Sequence, residues 1–339
     1  MTVVSLTDVA SYLPGEPVPA AYYTEYPDAE DKLRDHPMFK IPPLRHHAAA
    51  GETNTDMIER AVQPLVERHG RDEIRGVDVL LVHSQLPDIP FVGAGTEVAR
   101  RLGLRPEWLI DVANAGCASF VHMLKLARQI LTTTDATTAL ICTAQNLAGQ
   151  WFTRSEVRGL AQAAIPGDGC GVGLVTASTE SPVLEVETRH LGKYAGDMTV
   201  VLDDGRRYWE AGKSQPRIGF TEDSATEVLA RGNRLVPEVV MDLCGRLGVA
   251  ATEIDVFITN QPNRTFLRNW REALQLPSER HLHTFDQCGN LFGAAIPITL
   301  DHAIRSQHVE DGELVVLGGF AHAGDFAGAA AIRWHGGRG

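Results

Sequence analysis

Apolar and polar positions along the chain follow a pattern that occurs twice. Residues 76–85 read as a buried strand that ends in polar side chains, and residues 252–262 have the same form. A helical pattern precedes each copy, at 57–69 and at 236–247. Strands that alternate with helices are typical of βαβ units with buried parallel strands. The pattern therefore predicts two related α/β halves.

Each half continues with a glycine-containing turn that opens a helix rich in small residues. This turn holds Cys117 in the first half and Asn290 in the second. Each half then closes on an apolar strand, at 139–143 and 313–317. Sites in open α/β sheets gather at the carboxyl ends of strands. We therefore expect Cys117, Asn260 and the turn from Asp286 to Asn290 to converge between the halves.

The boundary between the halves is placed after residue 175, which gives units of 1–175 and 176–339. Residues 147–219 have a less regular pattern and are expected to form a cap. The glycine-rich stretch 167–173 precedes a strand rather than a helix, which favours close backbone packing over a phosphate cradle.

Composition limits the possible partners. The chain has 339 residues, 44% hydrophobic and 22% charged, with a formal net charge of −12. This charge argues against nucleic acid or an anionic membrane as a partner. No secretory signal or membrane-spanning run is evident, and the five cysteines lack metal-binding spacing. We expect a cytoplasmic protein without a metal or a permanently bound cofactor.

Cys117 is the candidate nucleophile. Gly116 precedes it, Ala118 and Ser119 follow it, and the amphipathic helix runs on to about Leu131. Free N–H groups and the dipole at a helix N-terminus favour a thiolate. The alternative is a buried cysteine that acts as a small apolar residue.

These motifs resemble the thiolase superfamily, and specifically its ketoacyl-ACP synthase III group. The resemblance implies a thiolase-like fold, with two pseudo-twofold related βαβ halves in α-β-α-β-α layers. It covers nearly the whole chain and is carried by residues 115–119, 167–169, 260–263, 289–297 and 318–330.

One departure from this group bears on the reaction. Condensing members use Cys, His and Asn, and the position of that histidine is Asn260 here. An asparagine donates a hydrogen bond but takes up no proton. Decarboxylative carbon–carbon condensation is therefore in doubt.

His281 and Asp286 offer a replacement. Their five-residue spacing resembles a divergent branch from antibiotic pathways that transfers acyl groups to oxygen with Cys, His and Asp, which favours His281 over His283. The alternative is that both histidines lie at a strand end without a catalytic role.

The expected mechanism begins with attack of Cys117 on an acyl thioester of a carrier protein or coenzyme A. His281 would take a proton from an acceptor hydroxyl or amine, and Asp286 would orient the imidazole. The oxyanion donors would be the Cys117 N–H and an amide of the 318–324 turn, with Gly324 as the candidate. Asn260 and Asn290 would be hydrogen-bonding supports or would merely satisfy backbone groups.

Two surfaces are expected to meet partners. Phe91 resembles the residue that members of the group insert into the acyl tunnel of a partner subunit, which implies a homodimer; a core aromatic is the alternative. Arg264, Arg268 and Arg271 share one helical face and are candidates for carrier docking, or form a solvated face. The position of the family's docking arginine is Thr265 here.

The leading hypothesis is an acyltransferase that modifies a small-molecule acceptor, a specialised metabolite such as a sugar of an antibiotic. The first alternative is a starter-unit condensing enzyme of a polyketide pathway, in which His281 or His83 replaces the missing histidine. The second is a non-catalytic partner subunit of a related synthase.

Overall fold

Two five-stranded sheets form the frame of the molecule. The structure, a computed structural model, describes residues 2–25, 31–202, 204–214 and 217–336. The strands in these ranges are β1 (Ser5–Tyr12), β2 (Val18–Pro19), β3 (Leu44–Arg45), β4 (Val79–Ser84), β5 (Trp108–Asp111), β6 (Thr138–Gln145), β7 (Gly169–Thr176), β8 (Val183–His190), β9 (Val200–Val201), β10 (Arg217–Ile218), β11 (Val256–Thr259), β12 (His281–Leu282), β13 (Leu314–Ala321) and β14 (Phe326–Arg333). The α-helices are α1 (Ala21–Thr24), α2 (Asn54–His69), α3 (Arg71–Arg75), α4 (Gly95–Leu102), α5 (Ser119–Thr133), α6 (Glu222–Leu247), α7 (Arg264–Ala273), α8 (Phe285–Cys288) and α9 (Ala295–Arg305).

The two large sheets have the same strand order and the same strand directions. The first has the order β1-β7-β6-β4-β5, and the second, taken from the matching edge, has the order β8-β14-β13-β11-β12. In the first sheet β4 is parallel to β5 and β6, and in the second β11 is parallel to β12 and β13. The other pairings of both sheets are antiparallel. The repeat predicted from the sequence is thus present in the topology.

Helices cover both faces of each sheet. Helices α5 and α9 contact strands of both sheets and form the central layer. Helices α2 and α4 cover the outer face of the first sheet, and α6, with α7 packed on it, covers the outer face of the second. Successive strand residues point to opposite faces, so Val79 and Leu81 join the central core while Leu80 and Val82 join the outer core. The result is a five-layered α-β-α-β-α arrangement.

Helix α6 is longer than the apolar pattern at 236–247 predicts. It begins at Glu222 because Thr221 and Ser224 form a capping box, and it ends before Gly248, which has a φ of +72°. Its first turns carry mostly polar side chains, so the pattern of apolar residues does not mark them. No helix of the described residues combines the length and the apolar character needed to cross a membrane.

The chain passes from the first sheet to the second between β7 and β8. These two strands occupy residues 169–190, so the predicted irregular cap over 147–219 is wrong for its middle part. Strand β7 is glycine-rich because helices pack closely on it: a methyl group on Gly171 would lie 2.5 Å from Pro297, and one on Gly173 would lie 3.0 Å from Phe120. Irregular structure remains on both sides of this strand pair.

Candidate active site

Cys117 lies in a tight turn between β5 and α5. Ala115 and Gly116 adopt left-handed backbone angles, with φ of +69° and +35°. A 3-10 turn over Gly116–Ala118 follows, and α5 begins at Ser119. The thiol therefore lies at the start of a helix, as the sequence predicts. It is partly exposed, whereas the other four cysteines are free and buried.

The surroundings of this thiol keep it protonated at neutral pH. Removal from bulk water raises the pKa of Cys117 to about 12, although hydrogen bonds from the backbone N–H groups of His322 and of Cys117 itself act in the opposite direction. The charge of Asp325 raises the pKa further. The backbone donors at the helix N-terminus favour the thiolate, as the turn predicts, but desolvation outweighs them. Attack by this sulfur needs a base.

A cavity of about 110 Å³ opens beside Cys117. Polar side chains on its wall are Gln85, Gln162, Asn260, Asn290 and His322. The rest of the wall is mostly apolar, and the phenylalanines that line it are Phe39, Phe152, Phe220, Phe266, Phe292 and Phe320. These rings come from distant parts of the chain, which is why sequence analysis did not recognise an aromatic site.

A second cavity of about 380 Å³ adjoins the first. Gln85 and Gln162 line both cavities, and Trp151 and Tyr208 lie on the outer wall. The carboxamide oxygens of both glutamines are buried, and neither has a hydrogen-bond partner among the described residues. Because such groups normally find a partner, they are available to a bound molecule.

His322 and Asp325 form a pair that sequence analysis missed. His322 lies in the turn between β13 and β14, with a φ of +50°. Its Nδ1 is 2.9 Å from Oδ1 and 3.1 Å from Oδ2 of Asp325. Its Nε2 faces Gly116, because a methyl group on that glycine would lie only 2.8 Å from it. The imidazole thus packs against the residue before Cys117. The His-x-x-Asp sequence within the glycine-rich region 318–330 is the signal that could have identified it.

Gly324 is not the oxyanion donor predicted from the sequence. Its N–H donates to the carbonyl oxygen of Ala321 over 2.8 Å, which closes the turn. The N–H of that turn that reaches the sulfur belongs to His322. Within this turn, the N–H of Gly324 is therefore used by the fold, and the N–H of His322 faces the sulfur instead.

Asn260 and Asn290 both line the cavity, as expected. Asn260 is fixed by two bonds to the backbone of Phe320: its Nδ2 donates to the carbonyl over 3.2 Å and its Oδ1 accepts from the N–H over 3.3 Å. Asn290 Oδ1 accepts from the N–H of Phe292 over 3.0 Å. Asn260 therefore holds the end of β13 in place, and both residues support the local backbone.

The structure does not bring His281 and Asp286 to Cys117. His281 is buried, with Nε2 3.1 Å from Thr259 Oγ1 and Nδ1 3.1 Å from the carbonyl oxygen of Leu267. Thr259 and Asn260 are consecutive in an extended segment, so their side chains point to opposite sides. Asn260 faces the cavity of Cys117, and His281 therefore lies on the other side.

Asp286 is engaged elsewhere as well. Its Oδ1 accepts from Arg264, with the Nη2 atom at 2.7 Å. His281, His283 and Asp286 line a separate cavity of about 420 Å³. The predicted catalytic pairing of His281 with Asp286 is wrong for this structure, since the spacing placed both residues near one strand end but not on the face of the nucleophile.

That separate cavity also holds the predicted docking residues. Arg264, Arg268 and Arg271 line it together, as their shared helical face predicts. Acidic residues partly offset their charge: Glu272 lies 4.0 Å from Arg268 and 3.9 Å from Arg271. A basic surface is present, and its net charge is small.

Phe91 lies far outside any core. It is fully exposed and has a φ of +72°. Val92, Trp108 and Leu109 add further exposed apolar surface, the latter two on β5 at the edge of the first sheet. The alternative of a core aromatic is therefore wrong.

Among the described residues no group of three or more His, Cys, Asp or Glu side chains is arranged to hold a metal ion.

Comparison with known proteins agrees with the fold. Residues 110–192 match the family model of 3-oxoacyl-[acyl-carrier-protein] synthase III, and residues 244–334 match the model of its C-terminal region. The chain is 28% identical to the β-ketoacyl-[acyl-carrier-protein] synthase III of Thermosynechococcus vestitus over 292 residues, which is 86% of each chain. It is 26% identical to the enzyme of the same name from Alkalilimnicola ehrlichii, over 98% of this chain and 100% of the other. The crystal structure of 3-oxoacyl-(acyl carrier protein) synthase III from Pseudomonas aeruginosa superposes with a TM-score of 0.81 at 22% identity, over 98% of this chain and 99% of that one.

The layered halves, with a cysteine turn at their meeting point, define a thiolase-type protein, and the predicted fold class is confirmed. Within that class, the chain belongs to the 3-oxoacyl-[acyl-carrier-protein] synthase III family. The relatives that it matches are enzymes of this family, which condenses or transfers acyl groups.

Proposed function

We propose that the protein is an acyltransferase that forms a thioester on Cys117 and passes the acyl group to an oxygen or nitrogen of a small-molecule acceptor. One observation carries the proposal. Cys117 lines a cavity, but the histidine position of condensing members holds Asn260, whose carboxamide is bonded to the backbone N–H and carbonyl of Phe320. Asparagine takes up no proton, so position 260 gives no acid–base help to decarboxylation.

The first step uses the backbone around the sulfur. Cys117 attacks the carbonyl carbon of an acyl thioester, and the N–H groups of Cys117 and His322, which lie at the sulfur, stabilise the oxyanion. Collapse of the tetrahedral intermediate breaks the donor's carbon–sulfur bond and leaves the acyl group on Cys117. The apolar wall of the cavity suits the acyl chain.

The second step needs a polar acceptor next to this thioester. The unpartnered carboxamide oxygens of Gln85 and Gln162 lie where the two cavities meet. Hydroxyl and amine groups donate hydrogen bonds to such oxygens, whereas a carbon nucleophile does not. The larger cavity, with Trp151 and Tyr208 on its wall, has room for a specialised metabolite such as an antibiotic sugar.

The donor is an acyl-carrier protein or coenzyme A thioester. Arg264, Arg268 and Arg271 provide the surface on which an anionic donor would dock, against the overall charge of −12. Charge reversal in R268E should weaken acylation by a carrier-bound donor more than acylation by a simple thioester. Equal weakening of both would argue against carrier docking.

The exposed apolar surface around Phe91 fits a second copy of the chain. It includes β5, the open edge of the first sheet, whose unpaired backbone groups favour association with another strand. Phe91→Asp should convert a dimer into monomers in light scattering. A wild-type monomer at micromolar concentration would contradict the homodimer.

Intact-mass measurement tests the proposed function directly. Wild-type protein incubated with acyl-CoA or acyl-carrier thioesters should gain one acyl group, and C117A should gain none. Cys244→Ala is the matched control, because Cys244 lies on α6 away from the cavity. A mass increase that survives C117A, or no increase with any donor, would favour the non-catalytic partner role.

A labelled malonyl donor separates acyl transfer from condensation. Release of carbon dioxide with a new carbon–carbon bond would favour the starter-unit condensing enzyme. His83, a candidate base for that alternative, is buried, and its Nδ1 lies 2.7 Å from the carbonyl oxygen of Val112.

A further inference from the structure

We propose that His322 is the base of this site, and that Asp325 positions it, in place of the histidine that condensing relatives carry at the position of Asn260. The inference rests on the proposed acyl-enzyme at Cys117 and names the group that moves its protons.

The imidazole of His322 lies beside the turn that holds Cys117. The ring packs against Gly116, with Nε2 as its nearest atom, and the backbone N–H of the same residue bonds the sulfur of Cys117. Both groups of His322 thus face the turn that holds the thiol. His322 also lines the cavity that would receive the acyl group.

The carboxylate determines which ring nitrogen is available. Asp325 accepts from Nδ1, so the neutral ring carries its proton there and presents Nε2 as a proton acceptor. This is the arrangement that a carboxylate imposes on the imidazole in nucleophile–histidine–carboxylate triads. No other hydrogen bond of the ring occurs among the described residues, so Nε2 is free.

Other groups fix the turn and bring no second base to the cavity. Arg231 donates from Nη1 to the carbonyl oxygen of Ala323 over 2.6 Å and pairs with Asp197 at 2.7 Å. His83 lies close enough for its charge to interact with His322, but it is buried and does not line the cavity. Its Nδ1 is held by Val112.

His322 alone can carry out every proton transfer of both half-reactions. In the first half-reaction Nε2 takes the Cys117 proton, and the imidazolium returns it to the departing donor thiolate. In the second half-reaction Nε2 takes the proton of the acceptor hydroxyl or amine as its oxygen or nitrogen bonds to the acyl carbon. The carbon–sulfur bond then breaks, and the imidazolium protonates the Cys117 sulfur.

The test separates this base from acyl-enzyme formation. Cys117 is loaded with p-nitrophenyl acetate at alkaline pH, excess ester is removed, and loss of the acetyl group is followed by intact mass. Discharge to water and to ethanolamine should be slower in H322Q by about 10²–10⁴-fold, the usual contribution of a general base. Discharge to hydroxylamine, a nucleophile that needs no base, should stay within about threefold of wild type.

Two further variants make the result specific. H281Q is the matched control and should discharge like wild type with every nucleophile. H322G suits the positive φ of this position, and added imidazole should restore part of its discharge to water. Circular dichroism verifies that each variant is folded.

The outcomes distinguish the two proposals. Wild-type discharge rates in H322Q, slow discharge in H281Q alone, or no rescue of H322G by imidazole would overturn the role of His322. Ester loading does not depend on the natural donor, so His322 is tested even if no thioester acylates the protein. Failure of any reagent to acetylate Cys117 would contradict both proposals.

Discussion

The turn at His322 and the strand end at His281 each combine an imidazole with a nearby carboxylate, yet their surroundings differ in every respect that matters for catalysis. At His281 both ring nitrogens are bonded within the fold, and Asp286 is paired with Arg264. At His322 one nitrogen is held by Asp325, and the other faces the turn of Cys117.

This difference shows what a base needs beyond the right residue types. A catalytic imidazole keeps one nitrogen free and directed at the reacting atoms, while its other nitrogen is fixed. His281 is held so completely that it acts as part of the core.

Asp325→Asn should slow discharge of the acetylated enzyme to water by on the order of 10²–10⁴-fold, because an amide no longer fixes the ring with Nε2 free. Asp325→Glu should recover part of the rate. Asp286→Asn is the matched control and should change the rate by less than twofold. If both Asn variants behave alike in single-turnover measurements, the comparison fails.

Gly116→Ala should reduce discharge about tenfold or more, because its methyl group would meet Nε2 of His322 at 2.8 Å and its φ is positive. The acetyl group should still load, since Cys117 is unchanged. Gly192→Ala is the control, because nothing lies within 4 Å of its added methyl group. Single-turnover rates equal to wild type in G116A would show that catalysis does not require the His322 ring to lie against residue 116.

His281→Gln should alter stability rather than rate. Burial lowers the pKa of His281 to about 3 from its ordinary 6.5, so the folded protein keeps this ring neutral while the unfolded chain binds a proton below pH 6.5. The free energy of unfolding therefore falls as pH drops from about 6.5 toward 3. Urea unfolding of H281Q should show a shallower fall across this window. Parallel pH curves for the two proteins would contradict the buried placement.

The smallest effect is expected from Arg264→Gln. The side chains of Arg264 and Asp286 are 58% and 38% exposed, so their ion pair is well solvated. Its loss should change the free energy of unfolding by about 1 kcal/mol or less. A larger loss in urea unfolding would mean that this pair supports the His281 region more than its exposure indicates.

Much of the fold follows from the sequence pattern. The repeat of strand, helix and glycine turn predicts the matching orders of the two sheets, because buried parallel strands read as continuous apolar runs. The turn at Cys117 and the exposed position of Phe91 also agree with expectation. Both are local features, fixed by neighbouring small residues or by a loop at a sheet edge.

The base could not be chosen in the same way. His281 and His322 each have a carboxylate within five positions, and spacing alone does not say on which face of a sheet a side chain lies. The raised pKa of Cys117 could not be predicted for a related reason, since the wall of its cavity comes from residues as far apart as Phe39 and Phe320. Long-range packing decides both points.

The positive φ of His322 has a consequence for engineering this enzyme. A residue with a β-carbon is strained in that conformation, and glycine is not. Selection for heat resistance alone would therefore tend to reward the loss of this side chain, and with it the reaction. A thermostable variant should be sought by changing other parts of the molecule and screening for turnover at every round.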